Sequence, residues 1–199
     1  KTLPWEFGFL ISLQFLGLEG NPLDQKILDI YLEKNITGLI FYLRDNRPEV
    51  PLTKKREFLE LDSHGELTGN TAADITTLTN LNPKLKSNTF TLLSYNTLCQ
   101  HYATPKMYRY TNKYDLTWSH RLEVLKQQIE EYQTDILCLQ EVEAKTYEDV
   151  WEPLLVKKGY KGIFFAKGRA RTSAQKDAKK VDGCCIFYKK EEFELLYHK

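Results

Sequence analysis

Thr91-Leu92-Leu93-Ser94-Tyr95-Asn96 and Asp135-Ile136-Leu137-Cys138-Leu139-Gln140-Glu141 decide how this chain is read. Each is a short apolar run ending on a polar side chain, the pattern of a buried strand leaving a core. Between them Leu122, Leu125, Ile129 and Tyr132 recur at helical spacing behind Ser119, a residue suited to capping a helix. Beyond them, Tyr147, Val150, Trp151, Leu154 and Leu155 mark a second helix, and Tyr160 to Phe165 and Cys184 to Tyr188 read as further strands. Short strands alternating with helices predict an α/β domain over residues 89–199.

Open α/β sheets place their sites at strand ends. If the two strands are neighbours, the Asn96 amide and the Glu141 carboxylate share one edge, an oxygen-rich setting of the kind that suits Mg²⁺. On the residues alone, a glutamate after a buried strand is more often a solvated exit from the core.

Working outward toward the start, Leu10-Ile-Ser-Leu13-Gln-Phe-Leu16-Gly-Leu18-Glu-Gly-Asn21 fits the leucine-rich repeat pattern LxxLxxLxLxxN. Leu16 and Leu18 are expected to alternate inward on a short strand, with Asn21 bonding backbone groups at the turn that follows. Leu23, Ile27, Ile30 and Tyr31, then Ile36, Leu39, Ile40 and Leu43, predict two helices that cap the stack. One repeat cannot bury its own apolar face, so further repeats are expected upstream of Lys1, and the chain is read as a fragment. Residues 1–46 are thus assigned to the end of a leucine-rich repeat domain and 47–88, with Pro48, Pro51, Pro83 and many Thr and Asn, to a linker. Asn35-Ile-Thr37 matches a glycosylation acceptor that is expected to be inert. Asp62-Ser63-His64 holds the residue types of a hydrolase triad, but adjacent residues cannot converge on one another.

Charge and cysteine usage limit the classes available. Lys plus Arg number 28 and Asp plus Glu 27, so no global basic bias announces a nucleic-acid binder and any RNA site must be local. The cluster around Arg169 and Arg171 is a candidate RNA contact, with a solvated loop as the plainer reading. Tyr108, Tyr110, Tyr114 and Trp118 are expected to pack in a core, base stacking being the alternative. Cys99, Cys138, Cys184 and Cys185 show no metal-ligand spacing and are expected as buried free thiols in a reducing compartment. His101 and His120 have no visible ligand partners. No run is apolar enough to span a membrane, so no membrane partner is expected.

The pairing of Leu93-Ser-Tyr-Asn96-Thr-Leu98 with Leu139-Gln-Glu141-Val-Glu143 resembles the first two motifs of the exonuclease–endonuclease–phosphatase superfamily. Cys99-Gln-His-Tyr-Ala-Thr104, Gly159-Tyr-Lys-Gly162 and Val181-Asp-Gly-Cys-Cys-Ile-Phe187, behind a leucine-rich region, resemble its carbon-catabolite-repression deadenylase branch. The resemblance implies the first part of an α/β sandwich. It also implies a Mg²⁺-dependent 3′–5′ exoribonuclease that releases 5′-AMP from poly(A) mRNA, with Glu141 as metal ligand and Asn96 helping to hold metal and phosphate.

As partners it implies the NOT scaffold complex and an RNase D-like deadenylase subunit docked on the leucine-rich region. The location it implies is cytoplasmic, nuclear presence being compatible. The family's Gly-Asp-x-Asn and Ser-Asp-His motifs do not occur in these 199 residues, so the chain by itself is expected to be catalytically incomplete and residues 89–199 alone to be poorly stable. The alternative reading is a non-catalytic docking module of the same complex.

Overall fold

A computed structural model describes residues 1–48, 56–81, 89–168 and 181–198. The chain divides into two compact units, Lys1–Leu52 with His101–Val124, and Thr53–Gln100 with Leu125–Lys199. The division differs from the expected boundaries, because residues 101–124 group with the leucine-rich part and much of the expected linker groups with the α/β part.

In the first unit a 3-10 helix, Trp5–Phe9, precedes a stretch with two turns and α1, Gln25–Asp45. Leu18, Ile27, Leu39 and Leu43 form its buried cluster, with Leu3, Phe7, Leu16 and Leu23 packed against it. The Asn21 amide donates to the carbonyls of Leu18 and Glu19, both at 3.3 Å, at the turn out of the leucine run. Leu16 to Leu18 is not a strand, since a strand requires a hydrogen-bonded neighbour and none stands beside it among the described residues. The two predicted helices are one element interrupted at Asn35, whose φ of 56° breaks the helical path. Asn35 Oδ1 accepts the Thr37 N–H at 2.9 Å, so the Asn-x-Thr motif serves as an internal helix cap.

Turns fill residues 101–117. They are pinned from α1 by the buried Arg44, whose Nη1 donates to the Arg109 carbonyl at 2.5 Å, and by the Arg47–Asp115 ion pair at 3.1 Å. Helix α2, Ile75–Leu81, lies within the expected linker in the second unit, and α3, Trp118–Tyr132, starts one residue before Ser119. The Arg121 N–H bonds the Thr117 carbonyl, which makes Thr117 the first acceptor and puts Ser119 inside the helix.

The second unit opens with a hairpin of β1, Phe58–Leu61, and β2, Leu67–Ala72, ahead of α2. Its alternation is inverted, which hid it from a reading based on apolar periodicity: Leu59, Leu61 and Leu67 face solvent while Glu60 is buried. Thr68 and Asn70 donate to the Glu60 carboxylate at 3.1 and 2.7 Å. Asp62-Ser63-His64 lies at the hairpin turn, where Asp62 accepts the N–H groups of His64 and Glu66.

Four strands make the main sheet: β3 (Leu92–Asn96), β4 (Ile136–Glu143), β5 (Tyr160–Ala166) and β6 (Asp182–Lys189), in the order β3-β4-β6-β5. The β3/β4 pair is parallel and joined through α3, while the β4/β6 and β6/β5 pairs are antiparallel. One face carries Leu137, Leu139, Cys185 and Phe187, all at most 1% exposed. It is covered by the segment α4 (Ala144–Thr146), a π-helical turn (Tyr147–Trp151) and α5 (Glu152–Lys157), which buries Trp151 and Leu155 completely. Burying each such side chain stabilises the fold by about 1.5–3 kcal/mol.

Tyr147 stacks on Phe164 and Phe187. Only glycine fits at position 162, because a Cβ there would stand 2.4 Å from Phe187 and 2.7 Å from the Tyr147 hydroxyl. On the other face Leu92, Phe165, Cys184 and Ile186 are exposed. Cys184 therefore departs from the expected buried thiol. It and Cys185 are adjacent on one strand and point to opposite faces, so only Cys185 is buried.

Among the described residues no helix is long and apolar enough to cross a membrane. The α/β class stands.

Candidate active site

Asn96 is the last residue of β3, and its register partner on β4 is Gln140. Glu141 comes next, but it does not follow the strand as expected. It lies inside β4 at a register shift between Gln140 and Val142, opposite the consecutive residues Cys184 and Gly183 of β6. Glu141 is the extra residue of a β-bulge, and its φ of 56° is a left-handed conformation that glycine usually fills. Holding a non-glycine residue there costs about 1–2 kcal/mol.

The bulge changes what the side chain faces. In a regular strand Glu141 would continue the Leu137, Leu139 row into the apolar face. With the bulge, Val142 takes that place, 1% exposed, and the Glu141 carboxylate is released to the strand end.

The loop after β3 receives it. Asn96 Nδ2 donates to Glu141 Oε1 at 2.8 Å, and the Cys99 N–H donates to Oε2 at 3.2 Å. Asn96 is itself oriented, since its Oδ1 accepts the Leu98 N–H at 2.8 Å across a second left-handed residue, Leu98 with φ 54°. Buried Thr97 ties loop to bulge, its N–H and hydroxyl both donating to the Gln140 carbonyl at 2.9 and 3.0 Å. Beneath them the Cys99 thiol donates to the buried Glu143 carboxylate at 3.1 Å.

The structure thus brings Asn96 and Glu141 together, as the sequence suggested. It adds Thr97 and Cys99, which sequence reasoning missed as site residues. One signal for the bulge was present in the sequence: the buried row runs 137, 139, 142, a step of three where a strand steps by two.

The donor set suits a hard cation. A carboxylate has about four lone-pair positions, and each Glu141 oxygen uses one for the bonds described. No ion pair joins Glu141 to a cationic side chain among the described residues, where its two oxygens each accept one N–H. Asn96 Oδ1 likewise retains one lone pair beside its bond from Leu98. An oxygen-donor pair of this kind, partly exposed at a strand end, is of the type that binds Mg²⁺.

The remaining candidates fall elsewhere. Arg169 and Arg171 lie outside the described residues. Tyr110 and Tyr114 are 50% and 65% exposed, which corrects the expectation that they pack in a core. His120 Nε2 stands 3.9 Å from Asp115, and the His120 ring lies 4.5 Å from that of Tyr114. Burial raises the Cys185 thiol to about 12, which leaves it protonated and inert.

Comparison with known proteins agrees with the motif reading. The chain is 58% identical over 92% of its length to the CCR4-Not complex 3′-5′-exoribonuclease subunit Ccr4 of Candida glabrata, covering 21% of that protein. It is also 58% identical over 93% of its length to the subunit of the same name from Saccharomyces cerevisiae, covering 22% of it. The chain therefore spans about a fifth of the length of the curated relatives it matches. Among solved structures it is similar to ANGEL2, a 2′,3′-cyclic phosphatase, at 32% identity over 54% of this chain and 29% of that one, with a TM-score of 0.47. Residues 93–198 match the model of the Endonuclease/Exonuclease/phosphatase family, and the chain belongs to that family.

Proposed function

We propose that Glu141 and Asn96 belong to the active site of a Mg²⁺-dependent 3′–5′ exoribonuclease that shortens poly(A) on mRNA and releases 5′-AMP. The observation that carries this reading is the bulge at Glu141: a left-handed glutamate, aimed by an asparagine amide and a backbone N–H, with no cationic partner among the described residues. Strain of that kind persists where the surroundings hold it, and it collects at functional sites. The names of the relatives support the reaction class.

In this mechanism Glu141 presents the carboxylate that holds the cation. Asn96 keeps that carboxylate in one orientation and contributes its own oxygen toward metal and phosphate, while Thr97 fixes the backbone of the bulge. The Cys99 N–H steadies the second carboxylate oxygen, so little reorganisation is needed when phosphate arrives. A Mg²⁺ held by Glu141 and Asn96 would supply positive charge that polarises a phosphate and stabilises the charge that develops on it.

The protein works in this reading within a NOT-scaffolded complex, in the cytoplasm and compatibly in the nucleus. Its leucine-rich region, residues 1–46, docks an RNase D-like deadenylase subunit. The relatives' names carry subunit membership, and the repeat-like leucine pattern around Asn21 suits a docking role.

The test uses the full-length protein with 5′-labelled RNAs ending in poly(A) or in mixed sequence, with Mg²⁺ or EDTA, beside Glu141→Gln. A Mg²⁺-dependent ladder with 5′-AMP as product, lost in the variant, is expected. Intact RNA with the wild type, or full activity in the variant, would sink the assignment. Equal shortening of both RNAs would remove the poly(A) selectivity and leave the exonuclease.

A further inference from the structure

From Lys106 to Tyr114 the chain reads Lys-Met-Tyr-Arg-Tyr-Thr-Asn-Lys-Tyr, and no acidic residue occurs between His101 and Tyr114. Lys106, Arg109 and Lys113 are all exposed, and none is ion-paired with another described residue. Between them Met107, Tyr110 and Tyr114 stand 65%, 50% and 65% exposed. Large apolar rings cost free energy in water, and cations spaced among them favour a polyanion with flat apolar groups.

The surface is built in advance. The N–H groups of Met107 and Tyr108 both bond the Thr104 carbonyl, and the Thr111 N–H bonds that of Tyr108, so the segment is a run of tight turns. Arg44, 2% exposed and 4.6 Å above the Phe41 ring, fixes the centre of the segment through the Arg109 carbonyl. Tyr108 meets Tyr110 edge to face at 6.1 Å, and Tyr114 lies against His120. Rings held in this way lose little freedom when a base stacks on them.

We infer that the Lys106–Tyr114 surface holds single-stranded RNA, with Tyr110 and Tyr114 stacking bases and Lys106, Arg109 and Lys113 neutralising phosphates. This deepens the exoribonuclease reading and rests on it for the choice of RNA as the polyanion. Sequence preference is not expected from such a surface, because every base offers a flat face.

Binding of labelled oligoadenylate to the full-length protein in EDTA tests the inference apart from hydrolysis. Tyr110→Ala with Tyr114→Ala should weaken binding about twenty-five-fold or more, each lost stack contributing about fivefold or more. Tyr110→Phe with Tyr114→Phe, which keeps both rings, should bind as the wild type does. Lys106→Glu with Lys113→Glu should flatten the dependence of log affinity on log salt by about 0.7 for each phosphate that is no longer neutralised.

Unchanged affinity in the alanine variant overturns the inference and leaves the surface to a protein partner. Equal weakening by the phenylalanine variant, or no oligoadenylate binding by the wild type, also overturns it. Should hydrolysis fail while this binding pattern holds, the exoribonuclease reading alone falls. Hydrolysis lost in Glu141→Gln with no effect of the tyrosines on binding sinks this inference alone.

Discussion

Two of the carboxylates on strand β4 and the residue before it, Asp135 and Glu141, differ in their bonding and in their backbone. At its start, Asp135 accepts the Thr91 N–H and hydroxyl at 2.7 and 2.8 Å and the Lys189 ammonium at 2.8 Å. Burial alone would raise its pKa, but the bonds from Lys189 and Thr91 outweigh burial and hold it below the ordinary value. At its other end, Glu141 receives an amide N–H and a backbone N–H and no side-chain cation among the described residues. The backbone φ is positive at Glu141 and not at Asp135. Asp135 is closed by its own lysine, whereas Glu141 is, in the reading proposed above, the carboxylate left to hold a cation.

The sharpest way to break this contrast is to neutralise each carboxylate. Glu141→Gln in the full-length protein should lower the rate of poly(A) shortening on the order of a hundredfold or more. Asp135→Asn should leave that rate near the wild type. Equal losses in the two variants would erase the distinction.

Stability should show the reverse order. Asp135→Ala leaves Lys189 and the Thr91 groups without their acceptor and should cost about 1.5 kcal/mol in urea unfolding, part of the loss being recovered by water around the partly exposed lysine. Glu141→Gly removes two hydrogen bonds but relieves the left-handed backbone, so it should cost less than Asp135→Ala. A larger loss at Glu141 would mean that the bulge is a stabilising joint and not a strained one.

The Asp135–Lys189 pair also predicts a pH window. Asp135 is depressed from its ordinary 3.8, so its contribution is present above that value and disappears as pH falls through the lower folded-state value. Lys189 is raised from 10.5, first by its bond to Asp135, so its contribution is present below 10.5 and is lost as pH rises through the higher folded-state value. The gap in urea midpoint between wild type and Asp135→Asn should therefore be widest between these limits and close at both extremes. A pH-independent gap would show that the ion pair does not account for the stability of this end.

Thr97→Val keeps shape and removes the hydroxyl bond to the Gln140 carbonyl, with an expected cost of about 1 kcal/mol. Thr97→Ser should restore most of it. The smallest effect concerns the sheet faces: in the folded protein a thiol reagent should label Cys184 and spare Cys185, with no loss of stability on Cys184→Ser. Labelling of Cys185 ahead of Cys184 would contradict the assignment of faces.

Much of this was legible beforehand wherever a periodic apolar pattern had one interpretation. The runs Leu92 to Tyr95 and Ile136 to Leu139 are strands, and the Leu125, Ile129 spacing is a helix, because their burial follows periods of two and about 3.6. The hairpin at Phe58–Ala72 escaped because its leucines face outward and its glutamate inward. The tyrosines of the 101–117 turns were misplaced because a turn has no period from which to infer which side is buried.

By itself, the sequence determined the α/β class, the two strands and Asn96 and Glu141 as polar residues that close their apolar runs, although Glu141 lies inside β4 and not after it. Those follow from local chain geometry and from the apolar pattern, which act over a few residues. Only the tertiary structure decided that Glu141 lies on a left-handed bulge, that Asn96 turns its amide nitrogen to it, and that Asp135 is closed by Lys189. These depend on register between segments more than 40 residues apart, and register is settled by the packing of the whole sheet.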